Sequence, residues 1–263
     1  MAQLEAGGFS LDAVARSGQV FTWRQLDEGR WLVASGARRC VLSQERSTLE
    51  VSRVSGGDPD ESELSYWRRY LALDEDYDGI LDKLELPDGA RETNSGLRVL
   101  AQDWWDAAVS FVVSQNSNIP RIQRTVWTLM DAGDGCIPSP EGLLELFGRE
   151  GFAEGLRLGY RRPYLEALAE RALGWHPTCL DRPGMSLDET MAELEETPGI
   201  GPKVASCICL FGLGYLNAVP RDTWIKRAER ETGMSWDERY GGIQQQYVFA
   251  WYREGAGRRE RDA

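Results

Sequence analysis

The chain has 263 residues, 42% of them hydrophobic, with 30 Lys and Arg against 42 Asp and Glu for a formal net charge of −12. That length buries a sizeable core in one or two domains, and no apolar run reaches the ~20 residues of a membrane span. The net acidity excludes indiscriminate affinity for nucleic acid over the whole surface, but not a local basic face.

The N-terminus, Met1-Ala-Gln-Leu-Glu-Ala6, lacks the basic flank and apolar centre of a signal peptide, so a cytoplasmic protein is expected. Cys40, Cys136, Cys179, Cys207 and Cys209 are odd in number and form no Cys-x-x-Cys pair. They argue against a disulfide framework, a zinc knuckle or a four-cysteine iron–sulfur cluster. His176, the single histidine, stands before Pro177 in a loop, which removes Ser-His-Asp and Cys-His chemistries.

In the first third, apolar and polar residues alternate between turn signals. Strands are predicted over Gln19–Arg24, Arg30–Ala34, Arg39–Ser43 and Thr48–Ser52, with turns at Asp27–Gly29 and Ser35–Gly36 and a loop at Ser55–Asp60. From Glu61 the period becomes helical, with Leu64, Trp67, Tyr70 and Leu71 on one face. Helices are predicted over Asp103–Ser114, Arg121–Met130, from Glu141 after Pro138-Ser-Pro140, and over Tyr164–Leu173, Leu187–Glu195, Pro202–Phe211, Thr223–Thr232 and Tyr240–Tyr252. Gln115–Pro120 is a polar break, and Gly255–Ala263 reads as a frayed tail. The expected fold class is α+β: a small antiparallel sheet domain with flanking helices over residues 1–100, then a helical body over 101–263.

Within that body, Thr197-Pro-Gly-Ile-Gly-Pro-Lys203 reads as the turn of a helix–hairpin–helix spanning about 187–213. Gly199 and Gly201 permit a tight turn and close backbone approach, Pro202 suits the first helical position, and the helix start offers unpaired N–H groups to a phosphate. Lys203, one of only three lysines, then leads the apolar run Val204–Phe211. It reads either as a phosphate clamp or as an amine nucleophile. The positive helix end, the apolar residues behind it and nearby arginines all disfavour its ammonium form and so favour the second. Asp222 reads as an ordinary helix N-cap, or as a carboxylate that stabilises a developing oxocarbenium charge and moves protons. Together the two residues suggest an enzyme that grips DNA backbone and attacks a sugar carbon. The arginine groups Arg121/Arg124, Arg157/Arg161/Arg162 and Arg221/Lys226/Arg227/Arg230 read as solvated helix faces or as parts of a DNA track.

Four further motifs stand in order around this hairpin: Ser17-Gly-Gln-Val-Phe-Thr-Trp-Arg24, Ser114-Gln-Asn-Ser-Asn-Ile-Pro-Arg121, Leu158-Gly-Tyr-Arg161 and Tyr240-Gly-Gly-Ile-Gln-Gln-Gln-Tyr-Val-Phe249. With them the chain resembles, over nearly its whole length, the 8-oxoguanine DNA glycosylase family of the helix–hairpin–helix glycosylases. The resemblance implies a bifunctional base-excision enzyme, with Lys203 as Schiff-base nucleophile, Asp222 as its partner and strand cleavage by β-elimination. It implies that the Gly18 carbonyl accepts the N7–H of an extruded oxidised purine. Cys207 and Phe249 would sandwich that base, and Gln245 would read its Watson–Crick edge. From the residues alone, Cys207 and Phe249 read as core and Gly18 as a turn glycine. Asn116, Arg121, Tyr160 and Arg161 match the positions that fill the vacated stack and contact the estranged cytosine. The implied partner is double-stranded DNA carrying 8-oxoguanine opposite cytosine, met by a monomer at the nucleoid of a prokaryotic cell. No cofactor or catalytic metal is implied, though hairpin carbonyls of this family can hold a structural cation. Trp224 stands where the eukaryotic pattern has histidine, and Ser206 where an aspartate is usual; both departures suggest a prokaryotic branch. The competing readings are a glycosylase for another oxidised or alkylated base and a non-catalytic DNA-binding module that keeps the hairpin.

Overall fold

The computed structural model describes residues 2–259. Strands β1 (Ala2–Glu5), β2 (Arg24–Asp27), β3 (Arg30–Ser35), β4 (Arg38–Glu45) and β5 (Thr48–Arg53) form one antiparallel sheet in the order β1-β5-β4-β3-β2. Alternation sets its buried face: Val33, Leu42, Leu49 and Val51 are fully enclosed, and Leu42 lies opposite Val51. The hairpin turns fall where the glycines predict them.

Two sheet expectations need correction. Gln19–Arg24 is no strand, since only Arg24 pairs in the sheet. Val20, Phe21, Thr22 and Trp23 are all buried, so nothing alternates. Instead of a ladder, Gln19 Nε2 donates to the Arg98 carbonyl at 2.8 Å, the Gln19 carbonyl accepts Gln102 Nε2 at 2.8 Å, and Thr22 Oγ1 donates to the Ala34 carbonyl at 2.7 Å. The segment is thus a buried strap from sheet to helices. Strand β1 was not predicted, because four residues with one inward side chain, Leu4, carry too short a period to read.

The helical segments are α1 (Leu11–Arg16), α2 (Glu61–Tyr70), α3 (Tyr77–Leu81), α4 (Ala90–Thr93), α5 (Trp104–Val113), α6 (Ile119–Ala132), α7 (Pro140–Gly148), α8 (Phe152–Gly155), α9 (Arg161–Ala172), α10 (Leu187–Glu195), α11 (Pro202–Gly212), α12 (Thr223–Thr232) and α13 (Gly241–Arg259). The longer ones lie where the 3.6-residue period predicts them. The short α1, α3, α4 and α8 were not foreseen. Of the tail expected to fray from Gly255, residues 255–259 belong instead to α13, which runs on to Arg259; a helix already nucleated adds a hydrogen bond per residue. The rest of that tail lies outside the described residues.

Every α5 residue after Trp104 is buried, and α11 packs beside it, with the rings of Phe111 and Phe211 stacked 5.2 Å apart. One apolar cluster runs from Leu4 in the sheet to Ala250 in α13, across the expected domain boundary near residue 100. A smaller cluster of Ile225, Ala228, Val248 and Tyr252 joins α12 to α13. These two packings bring the starts of α11 and α12 against the middle of α13.

Candidate active site

The hairpin turn has its shape for local reasons. Ser186 and Glu189 form a reciprocal cap that fixes the start of α10. Gly199 takes φ +87°, and a Cβ there would fall 2.2 Å from Tyr164 Cγ, so the position admits glycine alone. Its carbonyl accepts Gln115 Nε2 at 3.0 Å, which ties the hairpin to the α5–α6 loop. Gly201 is exposed, brings no side chain to the N-cap of α11, and would meet nothing within 4 Å if given a Cβ. The first turn of α11 therefore presents its backbone to open space.

Lys203 is half-buried at that start. Its Nζ lies 3.4 Å from Ser114 Oγ and 5.1 Å from the centre of the Phe111 ring. Asp222 caps α12, with Oδ1 accepting Ile225 N–H at 2.9 Å. Burial raises the Asp222 carboxyl above its ordinary range, opposed by that N–H bond and by the Lys203 charge. Both residues line one cavity with Gly18, Phe111, Cys207, Phe211, Pro220, Gln245, Gln246 and Phe249. It encloses about 60 Å³, room for about two waters. It adjoins a groove of about 800 Å³ lined by Asn116, Asn118, Tyr160, Gly201, Lys203, Arg221, Asp222, Trp224, Lys226 and Arg253, among others.

The residues expected to read a base thus meet at Lys203. Gly18 takes φ +83°, and a Cβ there would meet the Arg253 guanidinium at 2.9 Å and Phe249 at 3.5 Å. Cys207 is buried, which pushes its thiol up, with Lys203 opposing. Gln245 is 3% exposed, and its Nε2 donates to the Pro220 carbonyl at 3.3 Å. The two departures resolve differently. Trp224 lines the groove and packs on the α12–α13 cluster, whereas Ser206 is buried and does not line the cavity.

The second set of expected residues is divided. Asn116 (φ +45°) and Tyr160 are exposed on the groove. Arg121 faces an adjoining bay of about 820 Å³ that it shares with Arg124 and Arg157. No carboxylate lines that bay. Arg161 is only 6% exposed, 4.8 Å from the centre of the Tyr160 ring. Its Nε donates to the Gln115 carbonyl at 2.6 Å, and its terminal nitrogens donate to the carbonyls of Asn116 at 2.9 Å and Leu158 at 3.2 Å. It braces the loop that carries Asn116 and does not face open space.

Three participants escaped the sequence reading. Ser114 sits beside Lys203, and Gln246 lines the cavity. Arg253 donates to the carbonyls of Ser17 and Arg16 and lies 5.4 Å from the centre of the Phe249 ring. The spacing Gln245–Phe249–Arg253, one helical turn each, was the available signal for Arg253. His176 is exposed and bonded to Asp181 at 2.6 Å, away from the site. Among the described residues no group of three or more His, Cys, Asp or Glu side chains could hold a metal ion, and no helix is long and apolar enough to cross a membrane.

Comparison with known proteins bears on this geometry. Residues 2–107 match a family model described as 8-oxoguanine DNA glycosylase, N-terminal domain. An N-glycosylase/DNA lyase of Saccharomyces cerevisiae is 26% identical over 84% of this chain and 68% of its own length. A probable N-glycosylase/DNA lyase of Methanothermobacter thermautotrophicus is 28% identical over 86% of this chain and 83% of that protein. Among solved structures, MBOgg1 in complex with a low-affinity DNA ligand superposes with a TM-score of 0.84 at 26% identity, over 97% of this chain and 96% of that one.

Proposed function

Because the chain belongs to the 8-oxoguanine DNA glycosylase family, we propose that it excises 8-oxoguanine from duplex DNA and then cleaves the strand as a lyase, with Lys203 as nucleophile and Asp222 as its partner. One observation carries the reading: an amine, a half-buried carboxylate, a left-handed glycine, an aromatic face and an amide converge on one cavity beside a helix start that can hold a phosphate.

In this mechanism the base is extruded into the cavity, which must widen, since a purine exceeds two waters. The N9–C1′ bond breaks with its electron pair going to the base, and the Asp222 carboxylate stabilises the oxocarbenium charge left on the sugar. The Lys203 amine bonds to C1′, and ring opening with loss of a proton gives the imine. The imine acidifies C2′–H; removal of that proton expels the 3′ phosphate as the C3′–O bond breaks. Gly18 supports lesion choice, because a carbonyl accepts the N7–H of 8-oxoguanine but meets a lone pair on guanine.

The groove and bay support a path for the duplex. The lesion strand lies on the hairpin side, at Gly201 and Lys203. The other strand crosses Asn116 and Tyr160 toward Arg121, Arg124 and Arg157. Arg121 supplies the contact to an estranged cytosine, and Arg161 acts by holding the Asn116 loop in place. The hairpin carbonyls of Thr197, Gly199 and Gly201 each already accept one hydrogen bond. Their remaining lone pairs suit a weakly held hard cation and not a six-oxygen cage, and no step runs through one.

The test is borohydride trapping on an 8-oxoguanine duplex. The expected result is a covalent adduct that is lost in Lys203→Gln, and excision faster opposite cytosine than opposite A, G or T. DNA binding with no adduct in the wild type would leave the non-catalytic module as the reading.

A further inference from the structure

Gln115 touches two parts of the site at once. Its side-chain Nε2 donates to the Gly199 carbonyl of the hairpin at 3.0 Å, and its own carbonyl accepts Arg161 Nε at 2.6 Å. Because a carbonyl can only accept, it is the amide nitrogen that faces the hairpin. The neighbours on either side reach further parts of the site. Ser114 Oγ lies 3.4 Å from Lys203 Nζ, and Asn116 is exposed in the groove. Three consecutive residues of the α5–α6 loop thus meet the amine, the hairpin and the groove.

These contacts close a ring. Arg161, held on the carbonyls of Gln115 and Asn116, lies 4.8 Å from the centre of the Tyr160 ring. Tyr160 meets Tyr164 edge to face, with ring centres 5.9 Å apart. The Tyr164 ring in turn lies so close to Gly199 that a Cβ there would fall 2.2 Å from its Cγ. From Gly199 through Gln115, Arg161, Tyr160 and Tyr164, the contacts therefore return to the hairpin. The ring also holds a strained backbone, since Asn116 takes φ +45°, a left-handed conformation that asparagine tolerates better than most residues. A half-buried turn carbonyl such as that of Gly199 can be satisfied by water, and fixing a glutamine gives up more rotamer freedom than most side chains lose. What the amide adds over water is a fixed distance between hairpin and loop.

Resting on the glycosylase reading above, we propose that Gln115 is a positioning residue that locks the loop of Asn116 to the phosphate-gripping hairpin, so that stack filling on one strand is set by the grip on the other. With the lock in place, a phosphate held at the start of α11 fixes where Asn116 enters the duplex. Without it, hairpin and loop stay joined only through the aromatic contacts of Tyr160 and Tyr164, which set a distance less sharply than a hydrogen bond does. The loss then falls on opening the base pair and not on the chemistry at Lys203. Gln115 is therefore needed only where an intact pair must be broken.

The experiment measures single-turnover excision at saturating and sub-saturating enzyme for wild type, Gln115→Leu, Asn116→Ala and the double variant. Two duplexes are compared, one with 8-oxoguanine opposite cytosine and one with 8-oxoguanine opposite an abasic residue, where no pair remains to be opened. Relative to wild type, Gln115→Leu is expected to lose about tenfold in rate at saturating enzyme opposite cytosine and less than about twofold opposite the abasic residue. The enzyme concentration for half-maximal excision should stay within about twofold, because the phosphate contacts remain. Adding Gln115→Leu to Asn116→Ala is expected to cost less than about twofold more, since the lock has nothing left to place. An equal loss on both duplexes, or none, overturns the proposal, as does a fully additive loss in the double variant. A wild type that excises from neither duplex overturns the glycosylase reading instead. If thermal unfolding shows that Gln115→Leu does not fold, Gln115→Met, of similar length but without the donor, is read by the same outcomes.

Discussion

At the scale of single residues, the N-cap that Asp222 provides is separable from the catalytic role proposed for it. As an N-cap it stabilises α12, and asparagine caps as well as aspartate. Asp222→Asn is therefore expected to change stability by less than about 0.5 kcal/mol in thermal unfolding, yet to slow excision by about 10² or more if the carboxylate stabilises the sugar cation. The pH dependence follows from its raised pKa. Excision falls as acid protonates Asp222, so the acid limb of the single-turnover profile lies above the ordinary carboxylate value of about 4 and is absent in Asp222→Asn. For folding the sign is opposite. A raised folded pKa gives stability that is fully present below the unfolded value and is lost as pH rises through the folded one. Arg253 holds the carbonyls of Arg16 and Ser17 next to Gly18. Arg253→Ala is expected to raise the enzyme concentration needed for half-maximal excision of 8-oxoguanine and to narrow its preference over guanine, measured on paired duplexes. Lysine, lacking the fork, should not restore either. Lys203 and Asp222 were legible in sequence because a glycine turn and an N-cap are local signals. Arg253 was not, because a lone arginine near the chain end gives no sign that its partners lie at Arg16 and Ser17.

At the scale of elements, the hairpin separates fold from binding. Gly199→Ala must both strain a φ of +87° and strike Tyr164, and is expected to destabilise the protein by about 1–3 kcal/mol in denaturant unfolding. Gly201→Ala meets nothing and should leave unfolding unchanged, while DNA affinity falls because the methyl group occupies the approach to the first turn of α11. Helices longer than two turns were readable, since several residues share a face. Strand β1 and helices α1, α3, α4 and α8 span six residues or fewer and show no period. The strap at Gln19–Trp23 misled for a different reason. It looked like a strand because its apolar residues are β-formers, but buried side-chain amides replace its ladder.

At the scale of the whole molecule, a net charge of −12 must be reconciled with a DNA partner, and the proposed duplex path does so through the bay at Arg121, Arg124 and Arg157, which no carboxylate lines. Replacing Arg124 and Arg157 together by glutamine is expected to flatten the slope of log affinity against log salt by about 2, with trapping at saturating enzyme unchanged. An unaltered slope would remove the bay from the DNA path. The sequence by itself determined the α+β class, the hairpin, the place of Lys203 just behind it and the order of the motifs, because each rests on patterns local in the chain. Only the tertiary structure decided which arginines face solvent, since Arg161 matches the family's pattern yet is buried against carbonyls of the loop that it braces. It alone revealed the ring that Gln115 closes, because its members come from the α5–α6 loop, the start of α9 and the hairpin, which are far apart in the chain.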